Sequence, residues 1–124
     1  MLVLEELTGR ICAAAVEVHR TLGPGLLESA YEECLCYELS LGGLAHQRQV
    51  ALPVKYKNVR LDCGYKLDII VENRVVLELK SVSSVTAVHE AQLLTYLKLS
   101  KIRVGLILNF NVELMKEGIT RRIL

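Results

Sequence analysis

Apolar residues recur every three or four positions early in the chain and at every second position in its middle, and that change of period sets the fold. Leu4, Leu7, Ile11, Ala14, Val18 and Leu22 line one side of a helix over residues 4–22. Gly23-Pro24-Gly25 ends it. Leu27, Ala30, Tyr31, Cys34, Leu35 and Leu39 give a second helix from about residue 26 to 41, stopped by Gly42-Gly43. Strand-like segments follow at residues 45–52, 54–56 and 59–63, with Pro53 marking an edge or a bend. Thr86 is a plausible N-cap for a helix over 87–99. Residues 103–109 read as a buried strand, and the tail as a helical turn before a last strand at 118–123.

The sharpest pattern lies between these parts, in YKLDIIVENRVVLELK. Two runs, 65–71 and 75–81, flank the turn Glu72-Asn73-Arg74 and read as a β-hairpin. If Val71 closes against Val75, Asp68 stands opposite Glu78 and Lys66 opposite Lys80. Lys66, Asp68, Ile70, Val76, Glu78 and Lys80 then share one face; Tyr65, Leu67, Ile69, Val71, Val75, Leu77 and Leu79 share the other. A slip of one residue would set Asp68 against a leucine and mix the two faces, so the division favours the register that opposes the acids. Like charges so placed repel. A bound cation, a nearby lysine or a raised carboxyl pKa has to offset that repulsion.

The element order is α-α-β-β-β-α-β, an α/β or α+β fold around one mixed sheet flanked by helices. At 124 residues the chain reads as one domain spanning 1–124, long enough to bury roughly two-thirds of its unfolded surface. Its apolar runs are too short to span a bilayer. The start lacks the charged and apolar regions of a secretory signal, so cytoplasmic residence is the expectation. Cys12, Cys34, Cys36 and Cys63 have neither metal-site spacing nor a disulfide framework and read as buried free thiols.

Net charge is +1, unevenly spread. Residues 1–42 hold two Arg against seven Glu, whereas residues 43–124 hold thirteen Lys and Arg against seven acids. An acidic helical start before a basic sheet region is compatible with nucleic-acid contact, though far from the strongly basic balance of a dedicated binder. No glycine-rich phosphate loop, G-x-S-x-G or H-E-x-x-H is present, which leaves little support for a metabolic hydrolase.

Asp68, Glu78 and Lys80 form the candidate chemistry. Paired carboxylates suit Mg²⁺ or Mn²⁺, and a lysine two residues on can orient water or neutralise charge developing on phosphorus. The same spacing also fits a solvent-facing sheet whose lysines pair with its acids. His89, Gln92 and Tyr96 form a polar stripe on the following helix, serving either this site or solvent. Glu28 lies in the first turn of the second helix, where the dipole favours a carboxylate, and shares a face with Tyr31.

Taken together, G-x-x-E-x-x-Y (Gly25, Glu28, Tyr31), G-Y-x-x-D (Gly64, Tyr65, Asp68), E-L-K (Glu78–Lys80) and H-E-A-Q-L-L-x-Y-L (His89–Leu97) resemble the GxxExxY protein family of the PD-(D/E)XK nuclease-like superfamily. The resemblance runs over residues 5–124; Leu67 stands where the nominal motif has proline. It implies a restriction-endonuclease-like α-β-β-β-α-β core. Asp68 and Glu78 become the metal-binding acids and Lys80 the catalytic lysine. Glu28, the acid of the first core helix, and Gln92, the polar residue on the helix after the sheet, are the other expected catalytic residues, Glu28 to position a second ion or the water and Gln92 to steady the site. Tyr31, Lys66 and Tyr96 are the expected substrate contacts. The implied activity is Mg²⁺- or Mn²⁺-dependent hydrolysis of nucleic acid, with DNA the expected substrate. The alternative is an inactive module of the same fold that binds nucleic acid or a protein. At this length no separate recognition domain is expected, so selection of a target would need a homodimer or a partner protein.

Overall fold

A computed structural model describes residues 4–124. Helices α1 (Glu5–Leu22) and α2 (Glu28–Leu41) come first and pack on each other. Strands β1 (His46–Ala51), β2 (Val54–Tyr56), β3 (Val59–Leu61), β4 (Lys66–Val71) and β5 (Val75–Lys80) follow. Helix α3 (Ala87–Ser100) leads to β6 (Val104–Asn109), and a 3-10 turn at Met115–Gly118 leads to β7 (Ile119–Ile123). The main sheet has the order β1-β4-β5-β6-β7; β5 and β6 are parallel and the other neighbours antiparallel. The expected mixed sheet flanked by helices is therefore what forms. β2 and β3 form a separate two-stranded ribbon.

Both faces of the main sheet are covered. Ile69, Val71, Val75, Leu77 and Leu79 pack with Ile11, Val18, Leu35 and Leu39 of α1 and α2. Ile70 and Val76 pack with Leu93, Tyr96 and Leu97 of α3. The face that carries the acids is thus closed by a helix along most of its length, and every residue of β6 is buried. α3 can approach this closely because β6 carries Gly105; a Cβ there would meet Leu93 Cδ1 at 2.8 Å.

The helices end where local chemistry stops them. Thr86 caps α3 as expected, its Oγ1 accepting the His89 N–H at 3.3 Å while His89 Nδ1 accepts the Thr86 N–H at 3.1 Å. Tyr31 is fully buried, stacked on Phe110 with ring centroids 4.4 Å apart. Its hydroxyl donates to the Gly23 carbonyl at 2.6 Å and accepts the Leu26 N–H at 3.1 Å, which fixes the turn between α1 and α2.

Several expectations need correction. Leu27 is 76% exposed because it sits before α2 in extended backbone and never joins its inner face. Ala15 takes the buried place expected of Ala14. Leu67 packs with α3 rather than with Ile69 and Leu79, because β4 kinks between them. Lys66 has no ladder partner in Lys80; it pairs with Ala51 of β1. Cys36 is buried and its thiol is pushed up to about 11 by burial, but Cys63 is exposed.

Candidate metal centre

The β4–β5 ladder runs through Val71 and Val75, Ile70 and Val76, Ile69 and Leu77, and there it stops. The next pair would be Asp68 and Glu78. Their carboxylates enter the gap instead. The Asp68 N–H donates to Glu78 Oε2 at 3.0 Å, and the Leu79 N–H donates to Asp68 Oδ2 at 2.8 Å. On the other side of β4 the pairing also skips Asp68: Arg48 pairs with Ile69 and Val50 with Leu67, while Gln49 between them takes a left-handed φ of 50°. Asp68 therefore sits at a break in both ladders, and this break turns Leu67 towards α3.

The turn that aims the hairpin is itself held under strain. Glu72 and Asn73 both adopt left-handed φ, 54° and 55°, unusual for residues with a side chain. Two bonds to Ala45 compensate. The Glu72 N–H donates to the Ala45 carbonyl at 2.8 Å, and Glu72 Oε2 accepts the Ala45 N–H at 2.6 Å.

Electrostatics single out the same pair. Glu78 is buried, and its carboxyl is pushed up to about 8, first by burial and then by the charge of Asp68. The Asp68 carboxyl is also raised by burial, against the pull of the Leu79 N–H, of a side-chain hydrogen bond to Glu78 and of Lys80. Backbone N–H groups occupy Glu78 Oε2 and Asp68 Oδ2, which leaves Glu78 Oε1 and Asp68 Oδ1 for each other or for a cation. Two hard oxygen donors, Glu78 buried and Asp68 half-buried, fit a hard divalent cation. The remaining ligands would come from backbone carbonyls, water or substrate, since no group of three or more His, Cys, Asp or Glu gathers among the described residues.

Lys80 is half-buried at the end of β5, paired in register with Asn109 of β6, and its charge favours ionisation of both acids. Asn109, which sequence reasoning did not single out, holds the chain beyond it: Oδ1 accepts the Val82 N–H at 3.1 Å and Nδ2 donates to the Val82 carbonyl at 3.0 Å. Tyr96 is buried among leucines rather than aligned on a polar stripe, and its ring lies 6.2 Å from that of Tyr65. Burial raises its phenol, and the charges of Glu78, Tyr65 and Asp68 add to the shift.

The outer residues stand further off. Glu28 is exposed; with Ser81 and Asn111 it lines an open cavity of about 580 Å³, and Ser81 Oγ donates to the Leu26 carbonyl at 2.7 Å. Glu28 therefore adjoins the chain that leaves Lys80. Gln92 and Lys66 are both exposed, Lys66 two residues before Asp68. Tyr31, expected to touch substrate, has no free surface and both hydroxyl functions engaged, so its place is structural. Glu90, on the same helix as Gln92, pairs with Arg122 of β7.

The acid that acts on Asp68 from α2 is Glu32, one turn beyond Glu28. It is buried, it raises the Asp68 carboxyl, and Arg48 and Gln49 hold it at 2.8 and 2.6 Å. Its only signal in the sequence is the i, i+4 spacing from Glu28.

A mixed sheet whose antiparallel hairpin opens around an Asp, a Glu and a Lys defines a nuclease-like α/β protein. A family model described as the PD-(D/E)XK nuclease superfamily matches residues 5–122. The chain belongs to that superfamily. Comparison with curated proteins and with solved structures gives no match.

Proposed function

We propose that this protein is a divalent-metal-dependent nuclease of the GxxExxY type that hydrolyses phosphodiester bonds in nucleic acid, with DNA the first substrate to test. The observation that carries the reading is the opposition of Asp68 and Glu78 at the break in the β4–β5 ladder, with Lys80 two residues on. Asp68 and Glu78 would hold the ion, which when bound supplies Lewis-acid polarisation of a phosphate and a more acidic water. Lys80 would neutralise charge developing on a non-bridging phosphate oxygen, where a fixed cation is worth more in the transition state than in the ground state. Tyr96, which feels the charge of both acids and is largely shielded from water, stiffens that side of the site. Glu28 and Gln92, both on the surface, would meet the substrate outside the acid pair.

A second reading, a binding module that has kept the fold without catalysis, draws on one observation. No group of three or more His, Cys, Asp or Glu able to hold a metal gathers among the described residues, and Glu32, the next acid, is taken up by Arg48 and Gln49. One assay separates the two. Purified protein is incubated with plasmid, single-stranded DNA and RNA in Mn²⁺, alongside Glu78→Ala and Lys80→Ala. Cleavage lost in both variants supports the nuclease; retention of nucleic acid without cleavage by any of the three proteins supports the module.

A further inference from the structure

The segment between Leu52 and Tyr65 forms an arm that the main sheet does not use. In β2 and β3, Val54 opposes Leu61, Lys55 opposes Arg60 and Tyr56 opposes Val59. Alternation then sets Val54, Tyr56, Val59 and Leu61 on one face and Lys55 with Arg60 on the other. Neither face is covered: Tyr56 is 61% exposed, Val59 54% and Leu61 41%. A two-stranded ribbon without a packed face is marginally stable, and directly opposed cations weaken it further. Lys55 and Arg60 have no acidic partner among the described residues. Asp62, the acid nearest in the chain, uses Oδ1 to accept the Gly64 N–H at 3.3 Å. At the tip, Lys57 lies over the Tyr56 ring at 5.4 Å.

The arm is rooted at the acid pair. The Leu52 N–H donates to the Tyr65 carbonyl at 2.8 Å, Tyr65 leans on Tyr96, and exposed Lys66 follows two residues before Asp68. An exposed apolar face carrying the Tyr56 ring, with unpaired cations behind it, is what a flexible polyanion with flat apolar groups would cover. Bases offer their faces only when unpaired, since a duplex presents base edges in its grooves. The ribbon is two strands wide, about 5 Å between them, so the long Lys55 and Arg60 side chains can reach round its edges towards phosphates of a strand lying on the Tyr56 face.

We propose that the β2–β3 arm holds an unpaired nucleic-acid strand, its bases stacked on Tyr56 and its phosphates met by Lys55, Lys57 and Arg60, so that single-stranded or locally unpaired nucleic acid is the substrate class presented to Asp68 and Glu78. The inference rests on the nuclease reading for what happens at the acids, but not for the binding itself.

The test is fluorescence anisotropy of the full chain in EDTA, with a labelled thymidine homopolymer and the same strand annealed to its complement. Single-strand binding is expected to be tighter than duplex binding, to weaken about tenfold in Tyr56→Ala, and to be kept in Tyr56→Phe. Lys55→Ala with Arg60→Ala should lower the salt slope by about one to two phosphates' worth. Unchanged Tm in these exposed variants confirms that the body of the fold is intact. Equal affinity for duplex, an unaltered Kd in Tyr56→Ala, or equal competition by polyglutamate would overturn the proposal, the last by pointing to an acidic protein segment. Cleavage in Mn²⁺ is scored separately. Strand-selective binding without cleavage sinks the nuclease reading and leaves the arm standing, whereas cleavage indifferent to every arm substitution sinks the arm alone.

Discussion

The backbone N–H of Asp68 donates to the side chain of Glu78, so the two acids that oppose each other also join the strands where the ladder ends. Repulsion between the acids is relieved here by the proton that Glu78 holds up to a pH of about 8 and by the backbone N–H that each accepts from the facing strand. The arrangement is complete as protein and still leaves one oxygen on each acid. A cation that takes those oxygens removes both the repulsion and the need to hold a proton.

Metal should therefore stabilise the fold through these two residues. Mn²⁺ or Mg²⁺ at about a hundred times Kd is expected to add about 2.7 kcal/mol and raise Tm by several degrees. Asp68→Asn and Glu78→Gln, which keep the shape but not the charge, should abolish the rise. Thermal melts in EDTA and in each metal check this; an equal rise in both variants would place the ion elsewhere.

Without metal, stability should fall as pH rises. Burial and Asp68 hold the folded Glu78 carboxyl at about 8, whereas an unfolded glutamate titrates near ~4.3. The folded state thus keeps the proton more firmly, and the stability this provides is full below the unfolded value and lost as pH climbs through about 8. Urea unfolding in EDTA between these limits should show the decline. Glu78→Gln should remove this component, and a saturating divalent ion should reverse its direction. A wild-type curve superimposable on that of Glu78→Gln would refute the buried, protonated glutamate.

Lys80 should matter to rate and little to folding. Lys80→Ala is expected to lower cleavage by about 10²-fold or more, with Lys80→Arg recovering part of it, while Tm changes little because the side chain is only half-buried. Single-turnover cleavage at saturating protein isolates the chemical step. Full activity in Lys80→Ala would reduce the lysine to an electrostatic neighbour of the acids.

How much of this was legible in the sequence follows from which forces act locally. The hairpin turn, the register from Ile69 to Val71, the Thr86 cap and the strand before Asn109 all follow from period and capping chemistry, which neighbouring residues decide. The kink at Asp68 does not, because it arises from side chains replacing a backbone ladder; Leu67 accordingly turned the other way. Tyr31 keeps the inward place its spacing gives it, but its hydroxyl is used by the turn before α2 rather than by substrate, and Tyr96, which looks like part of a polar stripe, is claimed by the leucines beneath α3. Glu32 was missed because its partners, Arg48 and Gln49, arrive from a strand far along the chain.

Tyr31→Phe separates the structural place of this residue from a role in substrate contact. The substitution keeps the stack on Phe110 but strands the Gly23 carbonyl and the Leu26 N–H, for an expected loss of about 1–3 kcal/mol. Cleavage measured well below Tm should stay within about twofold of wild type after correction for the folded fraction, since an error of that size is below about 0.5 kcal/mol. A variant that melts normally yet loses activity would return Tyr31 to the site.

Gly118→Ala tests the most confined backbone contact near Lys80. Gly118 lies at the end of the 3-10 turn with ordinary φ, so the methyl is excluded by space and not by torsion. A Cβ there would overlap the backbone carbonyl oxygen of Asn109 and press on Val112. A carbonyl at the end of a central strand cannot swing aside as a side chain can, so β6 and the 3-10 turn would have to separate. The expected loss is at least that of an overpacked core, about 1–3 kcal/mol, read as a drop in Tm. Since Asn109 also fixes Val82 just past Lys80, activity should fall further than the folded fraction explains. Gly105→Ala is the control. The atoms nearest its Cβ all belong to the Leu93 side chain of α3, at the opposite end of β6 from Asn109, so it should lower Tm with activity following the folded fraction alone.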